Sequence, residues 1–113
     1  MAAEKTTSLD WYSENIESGV RDLVRFLRDN GVNTECSCEG HVKGAIPYVQ
    51  CQYITDGEIH RIHRLLTGHG YENFIFKLFH LVVEGHPFST LDIYVGKSGS
   101  DIYEKKRQMD KGQ

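Results

Sequence analysis

No apolar run in the chain approaches the roughly 18 residues that a bilayer-spanning helix needs. The start, Met1-Ala2-Ala3-Glu4-Lys5, is polar and reads as no signal peptide. Cysteine is scarce and odd in number, with three residues, and Cys36 and Cys38 stand too close for an ordinary disulfide. That excludes a disulfide framework and makes reduced thiols in a cytoplasm the economical expectation. Basic excess is missing as well. The net charge is −3 with both signs interspersed, which leaves no electrostatic footprint for a phosphate backbone and argues against nucleic acid as a partner. No internal repeat emerges beyond a helix-then-hairpin rhythm that occurs twice.

What is present suits one soluble domain. The 113 residues are 39% hydrophobic and include 11 glycines, enough to bury about two-thirds of the unfolded surface around a single core. Residues 1–8 read as a polar N-terminal end, 9–96 as the domain and 97–113 as a polar C-terminal tail, frayed or forming a short helix. Leu9, Tyr12, Ile16, Val20, Leu23, Val24 and Leu27 recur at helical spacing and predict a helix over 9–29, with Gly19 allowing a later start near Ser18. Asn30-Gly31 ends it. A short strand is expected at 33–38, a loop at 39–47 and a half-buried strand at 48–54, where Val49, Cys51 and Tyr53 share one face.

Thr55-Asp56-Gly57-Glu58 has the form of a capping box, opening a second helix through Ile59, Ile62, Leu65 and Leu66 to Gly68 or Gly70. Phe74 to Val83 is apolar on both parities and predicts the longest strand. Gly85-His86-Pro87 should turn it into a last strand from Ser89 to Val95. The order αββαββ predicts an α+β two-layer sandwich, a four-stranded antiparallel sheet in the order 3-4-2-1 with two helices on one face. This is the ferredoxin-like order, circularly permuted.

Reactive side chains cluster in Thr34-Glu35-Cys36-Ser37-Cys38-Glu39-Gly40-His41. Thiol, carboxylate and imidazole bind metals or move protons near neutral pH, and a glycine among them lets a ligand approach the backbone. Cys36, Cys38 and His41 have the close spacing of metal ligands, with zinc the metal that such a set would hold and Cys51 a fourth donor if the register allowed it. The competing expectation makes Cys36 and Cys51 small buried hydrophobes. Ser37, Glu39 and Gly40 complete a ligand-binding turn. In an enzyme, Cys38 would be the nucleophile and His41 its base. His60 and His63 lie one helical turn apart, yet Arg61 and Arg64 flank them and favour a solvated surface. His80, within an apolar strand, reads as a core histidine unless it faces the open side of the sheet.

The face away from the helices should carry Ser37, Gln50, Gln52, Asp92 and Tyr94, together with either Ile75, Lys77, Phe79 and Leu81 or the opposite set containing His80. Apolar area of that kind rarely stays exposed on a monomer, which predicts a homodimer through this face.

Thr34, Ser37, Cys38, Gly40 and His41, spaced as Thr-x-x-Ser-Cys-x-Gly-His after a helix ending in Asn-Gly, give a pattern that resembles a group of small bacterial and phage proteins of unknown function. Pro47-Tyr48 and the apolar strand extend the resemblance over residues 16 to 54. It implies no activity. The turn is also similar to the Ser-Cys-Ser-Gly-Arg strand-turn of a tRNA wybutosine-synthesis methyltransferase, with Glu39 replacing a serine and His41 an arginine. The basic surface for tRNA is missing. The residues point to binding of a small molecule or metal at the Cys38–His41 turn, with a homodimeric regulatory module as the alternative.

Overall fold

The computed structural model describes residues 18–38 and 47–111. For Ser18, Gly19, Cys36, Ser37 and Cys38 the description is of the backbone. The elements are α1 (Ser18–Asp29), β1 (Thr34–Cys38), β2 (Tyr48–Gln52), α2 (Asp56–Gly68), β3 (Phe74–Val83), β4 (His86–Val95) and α3 (Gly99–Lys111). The strands form one antiparallel sheet in the order β1-β2-β4-β3, as the sequence pattern predicts. No described helix is long and apolar enough to cross a membrane.

Alternation builds the core. Val49 and Cys51 of β2 stand opposite Ile93 and Leu91 of β4, and all four side chains are fully buried. Val20, Leu23, Val24 and Leu27 recur on one face of α1, which packs on β1 and β2. Ile62 and Leu66 bring α2 to the same core, and its His63 ring meets the Phe74 ring edge-on at 5.7 Å. Burying one such aliphatic side chain contributes about 1.5–3 kcal/mol. The two helices and the sheet are therefore held chiefly by a single apolar layer.

The helix ends follow their local chemistry. Gly31 adopts φ +80° and the Val32 N–H donates to the Leu27 carbonyl at 2.9 Å, closing α1 as Asn30-Gly31 predicts. At α2 the Thr55 hydroxyl accepts from the Glu58 N–H at 3.2 Å. The expected reciprocal bond is replaced: the Glu58 carboxylate accepts from Arg61 at 2.8 and 2.9 Å. Arg61 also donates to the Asn30 carbonyl at 2.7 Å, tying α2 to the end of α1. A charge-assisted two-point pair outcompetes a bond to one backbone N–H. It also holds the Glu58 carboxyl below its ordinary value.

Several expectations are corrected. The early part of the expected first helix, residues 9–17, and residues 39–46 of the expected loop lie outside the described residues. Of the two expectations for the tail, fraying or a helix, the helix is found: α3 starts with Ser98 Oγ accepting from the Asp101 N–H at 3.3 Å and the Asp101 carboxylate accepting from the Lys97 N–H at 3.1 Å. Ser98-x-x-Asp101 is an N-cap signal that composition alone obscures. A Cβ on Gly96 would come within 2.9 Å of Ile102, so glycine permits α3 to pack this closely. Tyr53 leaves the buried face of β2: the strand ends at Gln52, and Tyr53 turns out at φ +56°. The β3–β4 turn is Glu84-Gly85, at φ +52° and +80°, so β4 begins earlier than expected, at His86.

Two successive positive φ values are those of a type I′ hairpin turn, which favours Asn-Gly and strains a glutamate. Glu84→Asn is expected to raise stability by about 0.5–1 kcal/mol and Gly85→Ala to lower it by about 1 kcal/mol or more. Urea unfolding checks both signs.

Candidate functional site

The cysteine-bearing strand is placed by an irregularity. Thr34 stands opposite Cys51, but after a bulge at Glu35 the register resumes with Cys36 opposite Gln50, Ser37 opposite Val49 and Cys38 opposite Tyr48. Without the extra residue, Cys36 would stand opposite Val49, in the buried row. Bulges re-aim a strand in this way beside sites. Here the bulge takes both positions of Cys36-Ser37-Cys38 that carry thiols out of the row of Val49 and Cys51 and into the row of Tyr48 and Gln50. Cys51 remains fully buried in the core, as expected of a small hydrophobe. It cannot act as a fourth ligand beside Cys36, because the two positions belong to opposite faces. Ser37, expected among the open-face residues, takes the register position opposite buried Val49 instead.

Two cross-strand rows follow on the face away from α1 and α2. The first runs Cys36, Gln50, Asp92, Lys77; the second runs Cys38, Tyr48, Tyr94, Ile75. Of the two alternatives for β3, the set Ile75, Lys77, Phe79 and Leu81 occupies this face. Asp92 is only 7% exposed although no sheet or core helix covers it in register, and Gln50 Nε2 donates to its Oδ1 at 2.8 Å. A carboxylate only accepts, so this bond fixes the amide with its nitrogen toward Asp92 and its oxygen turned away as an acceptor. Asp92 is thus a positioning residue for Gln50.

The second row supplies rings. The Tyr48 and Tyr94 centroids are 5.3 Å apart with a 33° tilt. The Lys105 ammonium of α3 lies 4.9 Å from the Tyr94 centroid. Burial, the Asp92 charge and Tyr48 together push the Tyr94 phenol above its ordinary value, so it stays a proton donor well past neutral pH. Tyr48 and Lys105 escape a reading by sequence alone. Tyr48 shares the parity of Gln50, and Lys105 belongs to a half-buried stripe with Ile102 and Met109, so faint signals existed.

Span decides what the face can hold. Neighbouring strands lie about 4.8 Å apart, which separates the Cys36 and Asp92 positions by about 10 Å. One metal ion cannot bridge them; a small organic molecule can. Glu39, Gly40 and His41, which follow Cys38 directly, lie outside the described residues. Among the described residues no cluster of three or more metal-ligating side chains occurs.

His63, His69 and His80 stand apart from this face. His63 rests against Phe74, and His69 stacks on Phe26 at 3.9 Å. His80 is neither a core histidine nor an open-face one: it is exposed, on the same side as α2, with Nδ1 3.1 Å from the Ser89 hydroxyl oxygen.

Asp92→Asn removes a charge that raises the Tyr94 titration and keeps an acceptor for Gln50. The Tyr94 titration, followed by ring NMR signals, is expected to move down while that of Tyr71 stays in place. Replacing Asp92 by Leu leaves the Gln50 amide without that acceptor and is expected to cost about 1–3 kcal/mol of stability in urea.

Comparison with protein-family models, with curated proteins and with solved structures finds no match for this chain, so the chemistry of this face rests on its own residues.

Proposed function

We propose that the chain is a small binding module whose site lies where the end of β1 meets the open face of the sheet. The observation that carries the reading is the bulge at Glu35. It aligns Cys36 and Cys38 with Gln50 and Tyr48, next to buried Asp92 and the Tyr94 phenol. Core packing does not call for this alignment, because it takes two thiol positions out of the apolar row. The ligand class follows from the groups. A planar, polar molecule spanning about 10 Å would lie beside the Tyr48–Tyr94 pair and the Gln50 amide that Asp92 positions. Its far end would lie toward the Cys38 position, from which Glu39, Gly40 and His41 follow in sequence. Aromatic rings beside a few fixed polar groups are typical of small-molecule sites. Zinc held by Cys36, Cys38 and His41 is the inorganic form of the same reading.

Elemental analysis of the purified chain, followed by thermal-shift screening against a panel of small polar metabolites, tests it. Expected are either one zinc per chain that disappears in Cys38→Ser, or stabilising compounds whose effect is lost in both Cys38→Ser and Gln50→Ala. A ligand bound at 100 times its Kd adds about 2.7 kcal/mol, a shift that such a screen resolves. Absence of both metal and hits, or hits indifferent to both substitutions, would sink the proposal.

A further inference from the structure

The apolar residues of the β3–β4 hairpin are unevenly placed. β2 pairs with β4 from Thr90 to Tyr94, so the hairpin beyond Thr90 runs past its neighbour as a two-stranded arm. Along β3, Leu78, Phe79, Leu81, Val82 and Val83 are 48, 37, 38, 62 and 51% exposed. Alternation puts Leu78 and Val82 on one side, and Phe79, Leu81 and Val83 on the other. Tyr53, 68% exposed, stands beside the arm with its ring 5.9 Å from that of Phe88. The apolar excess of residues 74–83 therefore lies on both sides of the arm rather than on the open face alone. Close to the body the same face carries buried Thr90 and Asp92, and the Lys105 ammonium of α3 lies over the Tyr94 ring.

Two wet faces and a bare edge need a partner that adds along the edge. Val83 and His86 flank the two-residue turn as a paired position, so alternate residues Leu78, His80 and Val82 aim their backbone N–H and C=O groups away from β4. Among the described residues no strand lies beyond β3. Natural edges are usually guarded by proline, a bulge or charge. From Leu78 to Val83 this one has none of them.

We infer that β3 is the seam of a homodimer, in which the β3 strands of two copies pair antiparallel so that one sheet runs through both. Charge and area favour a second copy as the occupant. Lys77 is the sole charged residue in β3 and Glu84 follows its end. Antiparallel pairing centred on His80 sets Lys77 of one copy against Val83 and beside Glu84 of the other. The exposed arm side chains present apolar surface on the order of 400 Å², the scale that marks an interaction site.

Analytical ultracentrifugation of the full chain at high micromolar concentration is expected to show a dimer. Val82→Lys, alone or with Leu78→Lys, is expected to weaken it about tenfold or more with an unchanged circular dichroism spectrum, since both side chains are exposed. Independently, oxidised His80→Cys is expected to yield a disulfide-linked dimer, whereas Tyr103→Cys on the exposed side of α3 is not. A monomeric unsubstituted chain, a dimer that Val82→Lys leaves intact, or a failure of His80→Cys to cross-link would each overturn the inference.

Discussion

The central strand pair constrains everything else in this molecule. Val49 and Cys51 face Ile93 and Leu91 across β2 and β4, and all are fully buried beneath α1 and α2. A slip of one residue would send four apolar side chains into water and bring Gln50, Gln52, Thr90 and Asp92 into the core. At roughly 1.5–3 kcal/mol for each aliphatic side chain, such a slip would consume much of a small domain's stability. The register is accordingly fixed, and so is the identity of every residue on the opposite face. The Gln50–Asp92 hydrogen bond and the Tyr48–Tyr94 ring pair are consequences of that core alternation.

Against this fixed pair, the two outer strands have more latitude, and both depart from regularity. β1 takes a bulge, which transfers its thiol positions from the buried row to the row of Gln50 and Tyr48. β3 projects with β4 beyond β2, and its excess of apolar residues ends in water on both sides. The departures sit at opposite edges of the sheet. The fold can thus carry a ligand at one edge and a second copy at the other without either interfering with the core.

Much of this was legible in the sequence because alternation and helical spacing are direct imprints of burial. Leu23, Val24 and Leu27 marked α1, Ile62 and Leu66 marked α2, and the αββαββ order led to the strand order observed. Three features were not legible, each for a physical reason. A bulge leaves no compositional mark when the inserted residue is an ordinary glutamate, so the placement of Cys36 required the backbone. A strand that is apolar on both parities looks the same whether it is buried or projects as an arm, so residues 78–83 were assigned to a broad face. The polar α3 rests on the Ser98–Asp101 cap and the close approach at Gly96 and buries no residue fully, so periodicity leaves a frayed tail and a short helix as alternatives. Of the candidate site, the cluster around Cys38 was visible at once, whereas its neighbours Tyr48, Gln50 and Asp92 became a site only through pairing.

The bulge is the hinge of the account, and cross-strand proton contacts in solution report on it most directly. NMR of the isotopically labelled chain should show short backbone contacts between Cys36 and Gln50 and between Cys38 and Tyr48, with Thr34 close to Cys51. Contacts from Cys36 to Val49 or Cys51 instead would return the thiol to the core row. They would contradict the alignment on which the proposed site rests.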